Sequence, residues 1–94
     1  MQFEWDSEKD RANRKKHGVS FDLARRVFED PNHLSTQDRH EDGEERWQTL
    51  GLIGPVAIFL VAHTIEDGNG EEVVRIISAR KADKTERRRY DERT

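Results

Sequence analysis

The sequence predicts an α+β fold with two N-terminal helices, a three- to four-stranded antiparallel sheet and a C-terminal helix. Three patterns indicate it: helical three- and four-residue spacing up to residue 28, β-branched runs between residues 46 and 80, and a charged helical segment after residue 83. The 94 residues are enough for one domain, spanning 1–94, and show no linker or internal repeat.

The chain opens with a predicted short strand and a helix. Phe3–Trp5 has the composition of a strand, and Asp6 or Ser7 offers an N-cap for a helix over residues 7–17. Gly18 ends that helix, because glycine readily adopts the left-handed backbone conformation of a helix C-terminus.

A second helix is predicted directly afterwards. Ser20 is its N-cap, and Pro31 follows its end. The apolar stripe of this helix predicts packing against one face of the sheet, and it consists of Phe21, Ala24, Val27 and Phe28.

The pattern then changes to the two-residue period of strands. Acidic residues 38–45 predict a loop, and the Gly- and Asn-rich residues 66–72 predict a hairpin loop. Val56–Ile65 is apolar on both faces and is therefore the most buried strand of the prediction. The four predicted strands are His33–Gln37, Arg46–Ile53, Val56–Ile65 and Val73–Arg80.

The last strand and the last helix carry many polar groups. Strict alternation along the strand places Arg75 and Ser78 on opposite faces of the sheet. Asp83 or Thr85 caps the final helix, and with Asp83 as N-cap, Glu86 takes the N3 position of a capping box.

Charge is distributed unevenly along the chain. The net charge is −3, but residues 75–94 hold eight Lys or Arg against four Asp or Glu, whereas residues 1–74 hold nine against sixteen. A basic end on an acidic body predicts either a polyanion-binding surface or a well-solvated terminal helix, and both alternatives stay open.

Composition excludes several classes of chemistry. The chain has no cysteine, so it has neither disulfides nor a catalytic thiolate. No run approaches the roughly 18 apolar residues of a membrane span, and the N-terminus lacks the layout of a signal peptide. Histidine spacing matches no zinc signature, and no phosphate loop is present. We therefore expect a cytoplasmic protein with no metal, no cofactor and no membrane partner.

The basic end does hold the groups that metal-free RNA cleavage requires. Such cleavage needs a base for the ribose 2′-hydroxyl, an acid for the leaving 5′-oxygen and cations for the phosphorane. Candidate cations are Arg46, Arg75, Arg80, Lys81, Arg87 and Arg88. Candidate proton carriers are His17, His63, Glu86 and Tyr90. The same residue types are common on solvated surfaces, so this inventory alone does not establish a nuclease.

Four blocks of the sequence form a specific pattern. They read FEWDSEKDRANRKKHGVSFDLARRVFED, EERWQTLGLI, VAHT and RIISARKADKTERRRY, and they cover nearly the whole chain in order. They resemble the BrnT family of type II toxins, RelE-like ribonuclease toxins formerly described as a domain of unknown function. The resemblance implies a compact RelE/barnase-like fold and a metal-independent endoribonuclease that inhibits translation. The alternative is a non-catalytic binding module whose basic C-terminal region docks an antitoxin.

The resemblance also implies which residues act. The catalytic residues that it implies are Arg80, Glu86, Tyr90, His63 and Arg75. The RNA-binding residues that it implies are Arg46, Ser78, Lys81, Arg87, Lys16 and His17. For Lys16 and His17 the alternative is structural, with a helix-end histidine favoured by the helix dipole and packed on Trp5. The polar face of the first helix, through Lys9, Asn13 and His17, is either an internal hydrogen-bond network or part of the RNA groove.

The partners implied by the resemblance are an RNA substrate and a cognate antitoxin. The antitoxin of such a system usually carries a ribbon-helix-helix DNA-binding region. We therefore expect a homodimer of this chain within a toxin–antitoxin complex that reaches operator DNA only through the antitoxin.

Overall fold

The computed structural model describes residues 1–55 and 57–93, which form a five-stranded mixed sheet with helices on both faces. The elements are β1 (Gln2–Glu4), α1 (Ser7–His17), α2 (Phe21–Ala24), a 3₁₀ helix (Arg25–Glu29), β2 (Leu34–Glu41), β3 (Glu44–Ile53), β4 (Ala57–Gly68), β5 (Glu71–Lys81) and α3 (Lys84–Arg93). The strand order is β1-β5-β4-β3-β2. The predicted α+β class is confirmed, whereas the predicted strand count and the wholly antiparallel sheet were wrong.

The strand that the prediction placed least well is β1. It covers Gln2–Glu4, one residue earlier than Phe3–Trp5, and it pairs in parallel with β5, with Phe3 opposite Val74. The other neighbouring strands pair antiparallel. A three-residue segment carries too little periodicity to reveal its direction or its partner.

The first helix follows the prediction. It spans Ser7–His17, and the Asp6 side chain accepts a hydrogen bond from the backbone N–H of Glu8 at 2.8 Å. Gly18 ends it with a φ of 72°, in the left-handed region.

The second helix is shorter than predicted. Ser20 caps it, but the α-helical part ends at Ala24 and a 3₁₀ helix continues. The 3₁₀ helix approaches β3 closely at Gly51, where a Cβ atom would lie 2.6 Å from the Cβ of Val27. The tighter 3₁₀ turn accompanies this close approach of two backbones, which the apolar stripe alone does not reveal.

The acidic segment 38–45 is a hairpin and not a loop. β2 and β3 continue through it and meet at Asp42 and Gly43, whose φ angles are 52° and 79°. Two successive positive φ angles are typical of a type I′ turn, which joins antiparallel strands directly. The acidic side chains therefore belong to a β-hairpin.

The predicted hairpin within residues 66–72 is present with longer strands. Asn69 and Gly70 form its turn with φ angles of 53° and 81°. β4, one of its two strands, lies at the centre of the sheet, as expected from its apolar run. Val56, the first residue of that predicted strand, lies outside the described residues.

Two apolar clusters hold the helices on the sheet. The larger lies between the sheet and the N-terminal helices and contains Val19, Phe21, Ala24, Val27, Ile53, Phe59, Val61, Val74, Ile76 and Ala79. The smaller lies under α3 and contains Leu50, Leu60, Ala82 and Tyr90. We call the side of the sheet under the N-terminal helices the covered face, and the other side, of which α3 occupies one end, the open face. Within residues 1–55 and 57–93, no helix combines the length and apolar composition that crossing a membrane requires.

Candidate functional site

The side chains of β4 assign residues to the two faces of the sheet. His63 belongs to the covered face, where its ring contacts the hydroxyl of Thr49. Leu60 packs under α3. Ala62 and Thr64 follow Leu60 by two and four residues, so their side chains lie on the same face as Leu60, which is the open face.

A β-bulge interrupts β5. Ser78 pairs with Ala62, but Ile76 pairs with His63, the next residue of β4. Ile77 is therefore an extra residue between them, which shifts the two-residue period of β5 by one.

The bulge brings Arg75 and Ser78 to the open face together. Arg75 pairs with Thr64. Like Ala62, the partner of Ser78, Thr64 faces the open side. The prediction that Arg75 and Ser78 lie on opposite faces was therefore wrong, because strict alternation fails across an inserted residue.

Cross-strand pairing arranges the open face in three rows. In order of distance from α3, the paired residues are Leu50 with Leu60 and Arg80, Gln48 with Ala62 and Ser78, and Thr64 with Arg75, and continuing the β3–β4 register by one residue adds Arg46 to the third row. Arg46 belongs to the third row because it precedes Trp47, which pairs with His63. The middle row consists of small or neutral polar side chains and lies between the two rows that contain the arginines.

Arg80 is held at the end of β5 by Glu86 of α3. Its two terminal nitrogens donate to the two carboxylate oxygens at 2.8 Å and 3.0 Å. Glu86 and Asp83 also exchange backbone N–H to carboxylate hydrogen bonds, which confirms the capping box. The hydrogen bond from Arg80 lowers the pKa of Glu86, and that to Glu86 raises the pKa of Arg80. Glu86 is thus a stable carboxylate that orients the Arg80 guanidinium.

Arg75 has a carboxylate partner as well. Its Nη2 donates to the two oxygens of Glu44 at 2.8 Å and 2.6 Å. Glu44 opens β3, whereas Arg75 lies on β5, so the ion pair crosses over β4.

The other predicted cations are distributed over two surfaces. Arg46 is half-buried on the open face, and Lys81 is exposed at the end of β5. Arg87 donates to the carbonyl oxygen of Ala82 at 3.2 Å, and with Arg88 it lines a depression formed by residues of α3 alone. The structure therefore does not bring Arg87 and Arg88 into the three rows.

Asn13 completes the edge of the sheet. β1 ends at Glu4, so within the described residues no strand pairs with this edge of β5 beyond Arg75, whereas β4 continues along the other edge. The Asn13 amide takes that place by donating to the carbonyl oxygen of Ala79 at 2.8 Å and accepting from its N–H at 3.1 Å. It also donates to the carbonyl oxygen of Val19 at 2.9 Å. At this position, the polar face of α1 is an internal hydrogen-bond network.

Lys16 and His17, in contrast, are exposed beside the sheet. A groove of about 320 Å³ runs between α1 and β5 and is lined by Lys9, Ala12, Asn13, Lys16, His17, Ile77 and Ser78. The two side chains thus border the row that contains Ser78.

His63 is fully buried on the covered face. Burial lowers its pKa, so the ring is neutral. Its Nδ1 donates to the carbonyl oxygen of Thr64 at 3.2 Å, which leaves Nε2 to accept from the Thr49 hydroxyl at 2.7 Å. Arg46 and Arg75 lie near it along the strands but on the opposite face.

Tyr90 is buried between α3 and the sheet. Its hydroxyl donates to the carboxylate of Asp30, which also accepts from the N–H of Leu52 at 2.8 Å. Burial and the bond to Asp30 raise the pKa of Tyr90 to about 12. The structure therefore places neither Tyr90 nor His63 at the open surface.

Sequence reasoning missed three participants: Glu44, Thr64 and the sheet-edge role of Asn13. Glu44 fell in a predicted loop, and Thr64 is an ordinary strand residue in sequence. Glu44 and Thr64 lie near Arg75 only because of the way the strands pair. Neither the pairing register nor the bulge can be predicted from neighbouring residues in the sequence. Within the described chain, no cluster of His, Cys, Asp and Glu is arranged to hold a metal ion.

Comparison with known proteins connects this geometry to a family. A family model described as a ribonuclease toxin, BrnT, of type II toxin–antitoxin systems matches residues 5–86. The chain belongs to the BrnT family. The BrnT resemblance of the sequence blocks is thereby confirmed, and with it membership of a family of ribonuclease toxins of type II toxin–antitoxin systems.

A solved BrnT structure shares the fold. The crystal structure of the Brucella abortus ribonuclease toxin BrnT matches with a TM-score of 0.68 and 26% identity, covering 89% of this chain and 99% of that chain. No curated protein sequence matches the chain.

Proposed function

We propose that this BrnT-family chain is an endoribonuclease that cleaves RNA on its open face without a metal ion and thereby inhibits translation. The observation that carries the proposal is the bulge at Ile77, which brings Arg75, Ser78 and Arg80 onto one uncovered face. Arginine forks suit phosphate groups, because they donate two parallel charge-assisted hydrogen bonds. Family membership supports RNA as the substrate.

Arg80 is the central cation of this proposal. A guanidinium that is already oriented stabilises developing phosphorane charge without the cost of reorganisation. Glu86 serves as its positioning residue, since hydrogen bonds hold its pKa low and make it a weak base. Arg46 adds positive charge for a neighbouring phosphate, whereas Lys81 pairs with Phe59 and faces the covered side at the end of β5.

His17 is the base that takes the proton of the ribose 2′-hydroxyl, and the leaving 5′-oxygen takes its proton from water. Of the four candidate proton carriers, His63 and Tyr90 are buried, and Glu86 is held in an ion pair with Arg80. His17 is exposed and lines the groove with Ser78 and Lys16. Histidine is also the general acid or base that enzymes use most often.

The test is RNA cleavage by the purified chain in excess EDTA. We expect cleavage by the wild type and a rate at least about a hundredfold lower for Arg80→Ala, which removes an oriented charge from the site. Arg11→Ala is the matched control, because Arg11 also binds both oxygens of a surface glutamate, Glu8. Cleavage only when Mg²⁺ is added would refute metal independence, and equal rates for Arg80→Ala and wild type would refute the role of the open face.

A second candidate function is a non-catalytic module that binds an antitoxin. The observation in its favour is that Arg75 and Arg80 already bind carboxylates, the groups that an acidic partner would supply. This module predicts a stable complex with a ribbon-helix-helix antitoxin and no RNA products from the chain alone. The mass of the purified complex would establish whether the chain is a homodimer there, and DNA binding by the chain alone and by the complex would establish whether operator DNA binds only through the antitoxin.

A further inference from the structure

We propose that Arg46, Thr64 and Arg75 form a second phosphate subsite, and that Glu44 occupies it when RNA is absent. The inference rests on the proposed ribonuclease function and deepens it by naming where a second phosphate of the substrate binds. It also names a residue of the chain that competes with the substrate.

Two hydrogen-bonding groups in the third row have no partner among the described residues. Thr64 is 2% exposed, yet its hydroxyl oxygen makes no hydrogen bond. The Nε of Arg46 is buried and also makes none. Buried polar groups are nearly always paired, because leaving one unpaired costs the full desolvation penalty. Both groups can donate and each suits an acceptor oxygen, and a phosphate oxygen carries the negative charge that the Arg46 guanidinium requires.

Glu44 already places an anion over this row. Its carboxylate binds Arg75 across β4, and Thr64 is the residue of β4 directly opposite Arg75. A carboxylate and a phosphate present similar pairs of oxygens to a guanidinium. Glu44 follows the β2–β3 turn and its side chain is 32% exposed, so the carboxylate can leave Arg75 without disturbing the core.

The same region marks the end of the RNA path. A cavity of about 250 Å³ beside Thr64 is lined by Gly43, Glu44, Glu45, Thr64, Ile65 and Glu66. Glu45 and Glu66, the two of its glutamates that RNA does not displace, repel further phosphates, so the polyanion ends at Thr64 and Arg75.

The distance between the two arginine rows fits two phosphates and not one. Leu60 stands in the row of Arg80 and Thr64 in the row of Arg75. The two residues are four positions apart, which is about 13 Å along β4. A single phosphate is too small to bridge that distance, so Arg80 and Arg75 hold different phosphates of one strand, with the polar middle row beneath the nucleotides between them.

The test measures binding of an RNA oligonucleotide with 2′-O-methyl riboses, which the proposed nuclease does not cleave. We expect Thr64→Val to weaken binding about tenfold by removing a hydrogen bond to a charged group, without lowering the melting temperature. Thr64→Ser keeps the hydroxyl and is expected to recover most of the lost affinity. Glu44→Gln is expected to tighten binding several-fold. Arg46→Gln is expected to reduce the slope of log affinity against log salt by about 0.7, the value for one phosphate on a single strand.

The outcomes separate this inference from the function on which it rests. If the wild type binds no RNA, the proposed function is wrong and the second phosphate subsite is refuted as well. If the wild type binds RNA and Arg80→Ala weakens binding while Thr64→Val and Glu44→Gln match the wild type, the second subsite alone is refuted. Weaker binding by Glu44→Gln would likewise overturn the competition between Glu44 and RNA.

Discussion

The buried polar side chains on the two faces of the sheet differ in whether they have hydrogen-bond partners. On the covered face, His63 and Thr49 are buried and each has hydrogen-bond partners within the protein. On the open face, Thr64 is buried to a similar degree but its hydroxyl has no partner in the described chain, and Arg75 binds the partly exposed carboxylate of Glu44. The covered face is thus complete without a ligand, whereas the open face keeps binding capacity. Substitutions should separate accordingly into effects on stability and effects on RNA binding.

The largest expected effect is that of Gly51→Ala on the covered face. The new Cβ would lie 2.6 Å from the Cβ and 2.8 Å from the carbonyl oxygen of Val27, so backbone must move. We expect the free energy of unfolding in urea to fall by about 3 kcal/mol. Gly68→Ala is the control, because its nearest neighbour would be a methyl group of Val73 at 4.0 Å. Equal losses in the two variants would contradict the close approach of the 3₁₀ helix to β3.

Asn13→Ala tests the sheet edge that separates the two faces. The substitution leaves the N–H and carbonyl of Ala79 and the carbonyl of Val19 without their partner. We expect a loss of about 2–3 kcal/mol in the free energy of unfolding, since unpaired buried groups are costly. Asn32→Ala, at an exposed position, provides the comparison, and an equally small loss for both variants would argue against the strand-like role of Asn13.

The pH dependence of stability should report on the covered face. Burial lowers the pKa of His63 below the usual 6.5, so below pH 6.5 the unfolded chain binds a proton that the folded chain does not. Stability should therefore fall as pH drops, by at most about 1.4 kcal/mol per pH unit for this group. The pKa of Glu86 is lowered from 4.5, so stability from its bond to Arg80 is lost only below that pH, whereas the loss from His63 begins below pH 6.5. An NMR titration of the His63 ring in the folded protein checks the assignment, and a midpoint at or above 6.5 would contradict it.

The smallest of these effects is that of Tyr90→Phe. Loss of the hydroxyl bond to the Asp30 carboxylate should cost about 1.5 kcal/mol of stability. Because Tyr90 lies beneath α3 and away from the surface, the rate of RNA cleavage should not change. A tenfold slower cleavage by a folded Tyr90→Phe variant would restore Tyr90 to the catalytic residues that the family resemblance implied.

Local patterns in the sequence predicted local structure well. The caps Asp6, Ser20 and Gly18 and the capping box at Glu86 form as expected, because each depends on residues within a few positions of one another. Two things that depend on distant residues could not be predicted: the parallel pairing of β1 and the register of β4 with β5.

Which residues share the candidate site depends on the register of β4 with β5, and the sequence did not reveal that register. With strict alternation, Arg75 and Ser78 belonged to different faces, and His63 was a plausible neighbour of the arginines. The single inserted residue Ile77 reverses the first conclusion, and burial of His63 behind the sheet removes the second. Glu44, which binds Arg75, is 31 residues away in sequence.

The most direct test of the central claim is an NMR titration of arginine side-chain Nε–Hε signals with the 2′-O-methyl RNA. The claim is that RNA binds the open face through its arginines. We predict that the signals of Arg46, Arg75 and Arg80 shift on addition of RNA, while those of Arg11 and Arg25, which pair with Glu8 and Asp22 on the N-terminal helices, do not. Shifts confined to the α3 arginines or to Arg11 and Arg25, with Arg75 and Arg80 unchanged, would contradict the account.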